Sequence, residues 1–241
     1  MNEDISYPVR INRYLLLKQY CSRREADRLI EQGKVKINGR AAVLGQQVYK
    51  GDLVELAQDV VSREYRYYIY NKPRGIVSHN PQRDEQSVED VSGLGSSVSC
   101  VGRLDKESRG LMLLTDDGRI VNTILNPEYA HEREYEVRVD KYIKESDLKK
   151  LARGVNIEGY MTRPAKVERV NEDSFTLTLT EGKRHQIRRM CAALGYQVLD
   201  LQRIRMMHLP LDVETGKYRP LTQTEQAQLL AKVGIIPKDS Q

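Results

Sequence analysis

Two hydrophobic periodicities divide the start of the chain into helices followed by short strands. Apolar positions at helical spacing predict one helix near residues 10–18 and a second that begins after Ser22. Ser22 and Glu25 have the spacing of a capping box, in which the serine hydroxyl accepts a hydrogen bond from the Glu25 amide. Gly33 suits the left-handed position that ends such a helix. The second helix is expected to bury Ala26, Leu29 and Ile30.

Short strands are expected after these helices. Residues 35–37 alternate apolar and polar side chains, and Asn38-Gly39 is typical of a two-residue hairpin turn, so a return strand should follow. A further strand is expected over residues 53–56. The pattern predicts a small N-terminal module over residues 7–56 and a polar linker over residues 57–64, although an ordinary loop is the alternative to a linker.

Strand patterns dominate the chain from residue 65 onward. In residues 133–140 the alternation is strict, with Tyr135, Val137 and Val139 on one face and polar side chains on the other. Strands are expected at residues 67–70, 98–101, 133–140, 166–170 and 174–181.

Helical patterns separate these strands. Glycine follows two of the predicted helices, at Gly154 and Gly195, where a left-handed residue would end them. Thr222 and Glu225 form a second capping box, which predicts a helix near the C-terminus. The other helices are expected from Asp116 or Asp117 to residue 126, over residues 145–153, and within residues 182–195.

Composition adds a basic character to this picture. The chain has 241 residues and a mass of 27.8 kDa, which suits one sizeable domain and a small module. Its net charge of +5 and pI near 9.0 are consistent with a polyanionic partner. The cysteines and histidines are scattered without the spacing of a zinc site or a disulfide framework. Without a signal peptide or an apolar run of spanning length, the sequence predicts a soluble cytoplasmic protein.

The basic residues of the N-terminal module suggest an interface for nucleic acid. Four arginines straddle the predicted helix pair, where they could contact successive phosphates, although a solvated charged face is the alternative. These are Arg13, Arg23, Arg24 and Arg28. The segments RINRYL, CSRREADRLI and GKVKING occur in the order typical of the αL-type RNA-binding domain of ribosomal protein S-four, which the module resembles.

Three segments of the larger region carry candidate chemistry. In Gly102-Arg103-Leu104-Asp105 a carboxylate follows a predicted strand and lies between Arg103 and Arg109, a placement suited to an anionic substrate. The alternative is a surface loop with local ion pairs. Residues 71–75 read as a turn because they contain Pro73 and Gly75. Residues 182–190 read as a basic helix with an apolar face.

Taken in order, these segments resemble motifs I, II and III of the RsuA-like family of ribosomal RNA pseudouridine synthases (RsuA, RluB, RluE and RluF). The motifs are NKPRG at residues 71–75, GRLD at residues 102–105 and GKRHQIRRM at residues 182–190. The resemblance extends from about residue 7 to residue 233. The segment HEREY at residues 131–135 is similar to the RluF-like branch of the family.

The resemblance implies an α+β fold, in which a small N-terminal S-four-like RNA-binding domain (residues 7–56) and a linker (57–64) precede the catalytic domain. That catalytic domain, over residues 65–233, would have a mixed, mostly antiparallel sheet and be followed by a tail over residues 234–241. It also implies that the protein needs neither a cofactor nor a metal ion, and that it acts as a monomer on ribosomal RNA.

Roles for individual residues also follow from the resemblance. Asp105 would be the nucleophile, and Arg188 would be the ion-pair partner that keeps its carboxylate ionised. Tyr135 would stack on the flipped uracil and is a candidate for the final proton transfer, with a core tyrosine as the alternative. Contacts to phosphates, or support of the loop, would come from Arg103, Arg109, Lys183 and Arg184.

The expected reaction is the isomerisation of a uridine in large-subunit ribosomal RNA, after the nucleotide has been flipped out of its stack. Small-subunit ribosomal RNA and transfer RNA are alternative substrates. A different class of function, an RNA-binding or ribosome-assembly factor without catalysis, is the remaining alternative.

Overall fold

A computed structural model describes residues 5–57 and 64–235, which divide into two compact units. The first unit contains residues 5–57, 64–66, 116–123 and 230–235 of the described chain, and the second contains Tyr67–Thr115 and Ile124–Leu229. Most of the predicted linker and tail, at residues 58–63 and 236–241, lies outside the described residues.

The N-terminal module has the predicted helix pair and short strands. Its helices are α1 (Ile11–Leu17) and α2 (Arg23–Glu31), and its strands are β1 (Val9–Arg10), β2 (Val35–Ile37), β3 (Arg40–Ala41), β4 (Gln47–Val48) and β5 (Val54–Leu56). The Ser22 hydroxyl accepts the Glu25 amide at 3.2 Å, as the capping pattern predicts. Asn38 and Gly39 both adopt positive φ angles, 51° and 76°, which the tight hairpin turn between β2 and β3 requires.

Beyond residue 66 the described chain forms one large sheet, a separate two-stranded sheet and helices. The strands are β6 (Tyr67–Lys72), β7 (Ser99–Val101), β8 (Arg109–Thr115), β9 (Arg133–Val139), β10 (Asn156–Ile157), β11 (Tyr160–Met161), β12 (Lys166–Arg169), β13 (Ser174–Leu179), β14 (Val198–Met206), β15 (Leu209–Pro210) and β16 (Tyr218–Pro220). The helices are α3 (Val88–Val91), α4 (Arg119–Leu125), α5 (Glu145–Arg153), α6 (Gln186–Ala193) and α7 (Gln223–Lys232).

The large sheet confirms the expected mixed, mostly antiparallel architecture. Its strand order in the described chain is β12-β13-β9-β14-β8-β6-β16, with β7 paired to β8 and β15 paired to β14. Strands β8 and β14 are parallel neighbours, whereas the other described pairs of this sheet are antiparallel.

The parallel pair explains why distant sequence segments meet. Residues 102–108 precede β8 and helix α6 precedes β14, so both enter the sheet at the same edge. Residues 73–78 follow β6, and because β6 is antiparallel to β8, they leave the sheet at that edge as well. The three segments predicted to carry chemistry therefore converge.

Close contact between the backbones of β8 and β14 requires a glycine at position 110. A Cβ atom at Gly110 would lie 2.3 Å from the carbonyl oxygen of Arg203 and 2.7 Å from its nitrogen, and φ is +107°. Any side chain at position 110 would separate the two strands or distort them. Gly110 thus keeps together the two strands that bring residues 102–108 and α6 to one edge.

Two apolar clusters pack around this sheet. One packs β9 and β13 together with α5 and α6, and includes Val137, Phe175, Leu151 and Met190. The other contains Leu104 together with side chains of β6 and β8. Among the described helices, none is long and apolar enough to span a membrane.

One predicted helix begins later than the sequence pattern indicates. The basic segment was expected to be helical from about residue 182, but α6 begins at Gln186. The Gln186 side chain accepts the Lys183 amide at 2.8 Å, and His185 adopts a left-handed conformation with φ 50°. Residues 182–185 are therefore a loop, and Gly195, with φ 82°, ends the helix as predicted.

Candidate active site

Asp105 lies on the loop between β7 and β8, at the edge where the three segments meet. Its side chain is 37% exposed, so the carboxylate is open to a ligand but not fully solvated. The preceding Leu104 is buried in the cluster with Tyr70, Met112 and Leu114. Burial of Leu104 anchors the loop to the sheet and leaves Asp105 at its surface.

Ser78 fixes the backbone of the residue before Asp105. Its hydroxyl accepts the Leu104 amide at 3.0 Å and donates to the Leu104 carbonyl at 2.7 Å. The Gly75 amide donates to the Lys106 carbonyl at 2.8 Å, on the other side of Asp105. The segment that follows β6 therefore holds Asp105 from both neighbours, a role for Ser78 that the sequence pattern does not reveal.

Lys72 is a fully buried cation beneath the same loop. Its Nζ donates to the carbonyls of Pro73, at 2.8 Å, and Lys106, at 3.4 Å. Burial lowers the pKa of Lys72 to about 8, and the negative charges of Glu107 and Asp105 oppose this shift. Lys72 thus adds a positive potential near the nucleophile candidate while its hydrogen bonds fix the loop backbone.

Arg109 forms an ion pair with Asp200 within the sheet. Its guanidinium binds the Asp200 carboxylate through Nη2, at 2.7 Å, and Nε, at 3.1 Å. This bidentate contact joins the start of β8 to the start of β14 and raises the pKa of Arg109. Of its two expected roles, support of the loop and contact with phosphate, the structure favours support.

The expected ion pair between Arg188 and Asp105 is not formed. Arg188, in α6, donates through Nη1 to the Val198 carbonyl at 3.0 Å and through Nη2 to the Glu107 carbonyl at 3.2 Å. Its guanidinium therefore links α6 to the start of β14 and to the backbone of the Asp105 loop. The pairing expectation was wrong because α6 begins only at Gln186, so Arg188 lies in its first turn and faces these carbonyls.

His185, and not Arg188, is the basic side chain that lies next to the Asp105 carboxylate. Its Nε2 lies 3.5 Å from Oδ1 of Asp105, and its side chain is 47% exposed. No other basic side chain of the described residues lies within 4.0 Å of the Asp105 carboxylate. The sequence contains one signal for this contact, a histidine beside the arginines of residues 182–190. It does not predict the loop conformation that brings this histidine to Asp105.

Tyr135 lies half-buried in the middle of β9, opposite Arg203 on β14 and Leu177 on β13. Its ring packs against both apolar clusters, including the one that contains Leu104. Tyr135 is therefore in the cluster that supports the Asp105 loop.

The remaining candidate contacts for RNA are exposed. Arg103 and Arg184 make no ion pair within the described chain, whereas Nζ of Lys183 lies 4.5 Å from the centre of the Tyr160 ring. In the first unit, the four arginines of the helix pair are exposed and likewise have no acidic partner among the described residues. They are Arg13, Arg23, Arg24 and Arg28.

Within the described residues, no three His, Cys, Asp or Glu side chains group as metal ligands. The ionisable side chains that lie at or beneath the Asp105 loop include Asp105, His185, Lys72 and Tyr135.

Comparison with known proteins gives matches over both parts of the chain. The family profile described as RNA pseudouridylate synthase matches residues 66–193, a span that contains Asp105, Tyr135 and Arg188. The profile described as S4 domain matches residues 9–54.

Individual relatives agree with these profiles. The dual-specificity RNA pseudouridine synthase RluF of Escherichia coli K12 is 42% identical over 226 residues, which cover 92% of this chain and 78% of that protein. The ribosomal small subunit pseudouridine synthase A of Haemophilus influenzae is 33% identical, covering 92% of this chain and 100% of that protein. A solved crystal structure of a pseudouridylate synthase superposes with a TM-score of 0.69 at 33% identity, covering 92% of this chain and 99% of that one.

Proposed function

The chain belongs to the RNA pseudouridylate synthase family, and from that premise we propose that it modifies one defined uridine of large-subunit ribosomal RNA with Asp105 as the nucleophile. The single observation that carries this proposal is the convergence of three chain segments on the loop of Asp105. Ser78 and Gly75 hold the loop from one side, and Arg188 contacts it from α6.

The reaction exchanges the N1–C1′ bond of uridine for a C5–C1′ bond, with loss of the C5 proton and gain of a proton at N1. An ionised Asp105 supplies the electron pair for the attack on the nucleoside. Buried Lys72 lies beneath the loop that carries Asp105, and His185 contacts the carboxylate. Asp105 is regenerated at the end, so the isomerisation needs no external oxidant or reductant.

Tyr135 is the proposed support for the uracil ring. An aromatic side chain can stack on a base that has left its own stack, and a phenol can move the proton from C5. Its position in the cluster beneath the Asp105 loop supports this role. Removing the nucleotide from an RNA helix costs a few kcal/mol, which contacts between protein and RNA must offset.

The proposed contacts with RNA use exposed basic side chains in both units. Arg103, Lys183 and Arg184 surround the Asp105 loop and the residues before α6, where they can contact phosphates next to the target. The four arginines of α1 and α2, located in the S4 domain, would contact another part of the same RNA. They are Arg13, Arg23, Arg24 and Arg28.

The relatives support two choices of substrate. Similarity to RluF, through residues 131–135 and at 42% identity overall, favours large-subunit ribosomal RNA in our proposal. The runner-up is small-subunit ribosomal RNA, because the relative from Haemophilus influenzae is named for that subunit. Transfer RNA is the further alternative substrate of the same site.

Mapping of pseudouridine in both ribosomal RNAs and in transfer RNA tests the proposal. A strain that lacks the gene should lose pseudouridine at one position of the large-subunit RNA. The wild-type gene should restore it and an Asp105→Ala gene should not. Loss of a small-subunit or transfer-RNA position alone would contradict the substrate, whereas restoration by Asp105→Ala would contradict the nucleophile and favour a binding function.

A further inference from the structure

His185 contacts the carboxylate on which the proposed reaction depends. We propose that His185 is a positioning residue for the nucleophile: its imidazole Nε2–H holds Oδ1 of Asp105, so that Oδ2 is presented to the nucleoside. This inference rests on the proposed function, since it assigns a partner to the same nucleophile. The two side chains are 3.5 Å apart in the absence of RNA, within reach of a hydrogen bond after a small rotation.

A buried carboxylate determines where His185 lies. Glu181 is only 2% exposed, and its Oε1 accepts the side-chain amide of Gln186 at 2.8 Å and the Arg163 amide at 3.0 Å. Its Oε2 accepts the Tyr160 hydroxyl. Gln186, fixed in this way, accepts the Lys183 amide with its own Oε1. The loop of residues 182–185 is therefore held by the two buried residues on either side of it, Glu181 and Gln186.

The backbone of His185 adopts a conformation that few side chains favour. Its φ of 50° and ψ of 30° lie in the left-handed region. That region costs most side chains energy, but asparagine, aspartate and histidine enter it several-fold more often. Because residue 185 turns the chain into α6 at this point, its side chain projects toward Asp105 rather than along the helix.

The neighbouring arginines have other partners or are remote from the carboxylate. Arg188 donates to the carbonyls of Val198 and Glu107. Arg189 binds Glu158 at 2.7 Å, and Arg184 is exposed without an ion pair in the described chain. His185 is thus the side chain of this segment that can orient Asp105 directly.

A neutral histidine and a protonated one can both donate from Nε2, whereas an arginine at this position would bring a permanent charge. The imidazole therefore orients the Asp105 carboxylate by a hydrogen bond. Unlike an arginine, it does not hold that carboxylate in a permanent ion pair, with which the departing base would have to compete.

The test removes the ring and keeps the backbone conformation. Asparagine and glycine both tolerate the left-handed region, so His185→Asn and His185→Gly should fold. Both should lower the single-turnover rate at saturating RNA by about 10- to 100-fold, the effect of losing a hydrogen bond to a charged group. The dissociation constant for RNA should change less than threefold and Tm by less than a few degrees.

The control makes the same chemical change elsewhere. The His208 ring contacts the Glu225 carbonyl at the start of α7, not Asp105, so His208→Asn should retain the parental rate. The substrate is transcribed large-subunit ribosomal RNA with tritium at uridine C5, and released tritium reports loss of the C5 proton.

The outcomes separate this inference from the proposed function. A parent that releases tritium, an inactive Asp105→Ala and a parental rate in His185→Asn would overturn the role of His185 alone. A loss of RNA affinity at an unchanged saturating rate would also overturn it, because His185 would then be an RNA contact. An active Asp105→Ala or an inactive parent would overturn both.

Discussion

Around Asp105, the sequence predicts the proposed nucleophile but not the side chain that contacts it. GRLD between a strand and an apolar run is visible along the chain, and the structure places Asp105 where this predicts. The expected partner, Arg188, depends on where α6 begins. Successive residues of a helix differ by about 100° in direction, so a start at Gln186 instead of residue 182 redirects the arginines and brings in His185. At this start the Gln186 side chain accepts the Lys183 amide, a contact that no periodicity of the sequence predicts.

Arg188→Lys tests the role that the structure gives to Arg188. A lysine keeps the charge but replaces the two separate nitrogens that reach the Val198 and Glu107 carbonyls with a single one, so the contact between α6 and the Asp105 loop should weaken. We expect the free energy of unfolding to fall by about 1 kcal/mol and the single-turnover rate to fall by about tenfold or more. Denaturant unfolding and tritium release measure the two.

Arg189→Lys is the matched control for this change. Arg189 is the next residue of α6 and binds the exposed Glu158, so its replacement should leave the rate within about twofold of the parent. A parental rate in Arg188→Lys would show that the link to Glu107 does not shape the site.

Among the secondary-structure elements, local patterns predict most helices and strands but not which strands pair. The helix at Glu145–Arg153 ends at Gly154 as predicted, and β9 alternates as predicted. The parallel pairing of β8 with β14, which brings the three motifs together, depends on contacts between residues about ninety positions apart, such as Gly110 and Arg203. No periodicity encodes such a contact, because alternation specifies the faces of a strand and not its neighbour.

The capping box of α7 provides a test of electrostatics in one element. Glu225 accepts the Thr222 amide and two hydrogen bonds from Arg219, and the Arg219 contact is the main cause that lowers the pKa of Glu225 to about 2 from 4.5. A carboxyl whose pKa is lower in the folded state stabilises that state above its unfolded pKa. The stabilisation is lost as pH falls through the folded pKa.

Glu225→Gln should therefore be less stable than the parent at neutral pH, by an amount that stays constant down to about pH 4.5 and then shrinks toward pH 2. The glutamine still offers an acceptor to the Thr222 amide, so the comparison isolates the charge. Denaturant unfolding of both proteins at a series of pH values measures the difference. A difference that does not change between pH 5 and pH 2 would contradict the ion pair with Arg219 as its cause.

For the whole molecule, the sequence predicts two domains. Local patterns cannot show which segments from later in the chain belong to the N-terminal unit. The structure groups residues 116–123 and 230–235 with the N-terminal module. Within that unit, Arg119 donates to the Gln19 carbonyl at 3.2 Å and Gln19 donates to the Gly234 carbonyl at 3.1 Å. Removal of the module would expose these segments, so its role is better tested by changing its charges.

We expect a variant with glutamine at all four arginines of the helix pair to bind RNA more weakly. Loss of four phosphate contacts should reduce the slope of log affinity against log salt by up to about 3, and weaken binding most at low salt. The single-turnover rate at saturating RNA should stay within about twofold, since Asp105 and its neighbours are unchanged. The substitutions are Arg13→Gln, Arg23→Gln, Arg24→Gln and Arg28→Gln.

Lys149→Gln combined with Arg153→Gln removes charge from α5 of the second unit and serves as the control for net charge. Its salt slope should match that of the parent. An unchanged salt slope in the four-arginine variant would show that the arginines of α1 and α2 do not contact RNA phosphates.

Asp105 is proposed to carry the covalent step. Asp105→Ala removes a partly exposed side chain whose proposed role is chemical rather than structural, so Tm should change by no more than a few degrees. Single-turnover tritium release from the mapped ribosomal RNA, at a protein concentration that saturates binding, is the most direct measurement. We expect release at the background rate, with RNA affinity within a few-fold of the parent. Release near the parental rate from a folded, RNA-bound Asp105→Ala protein would contradict it.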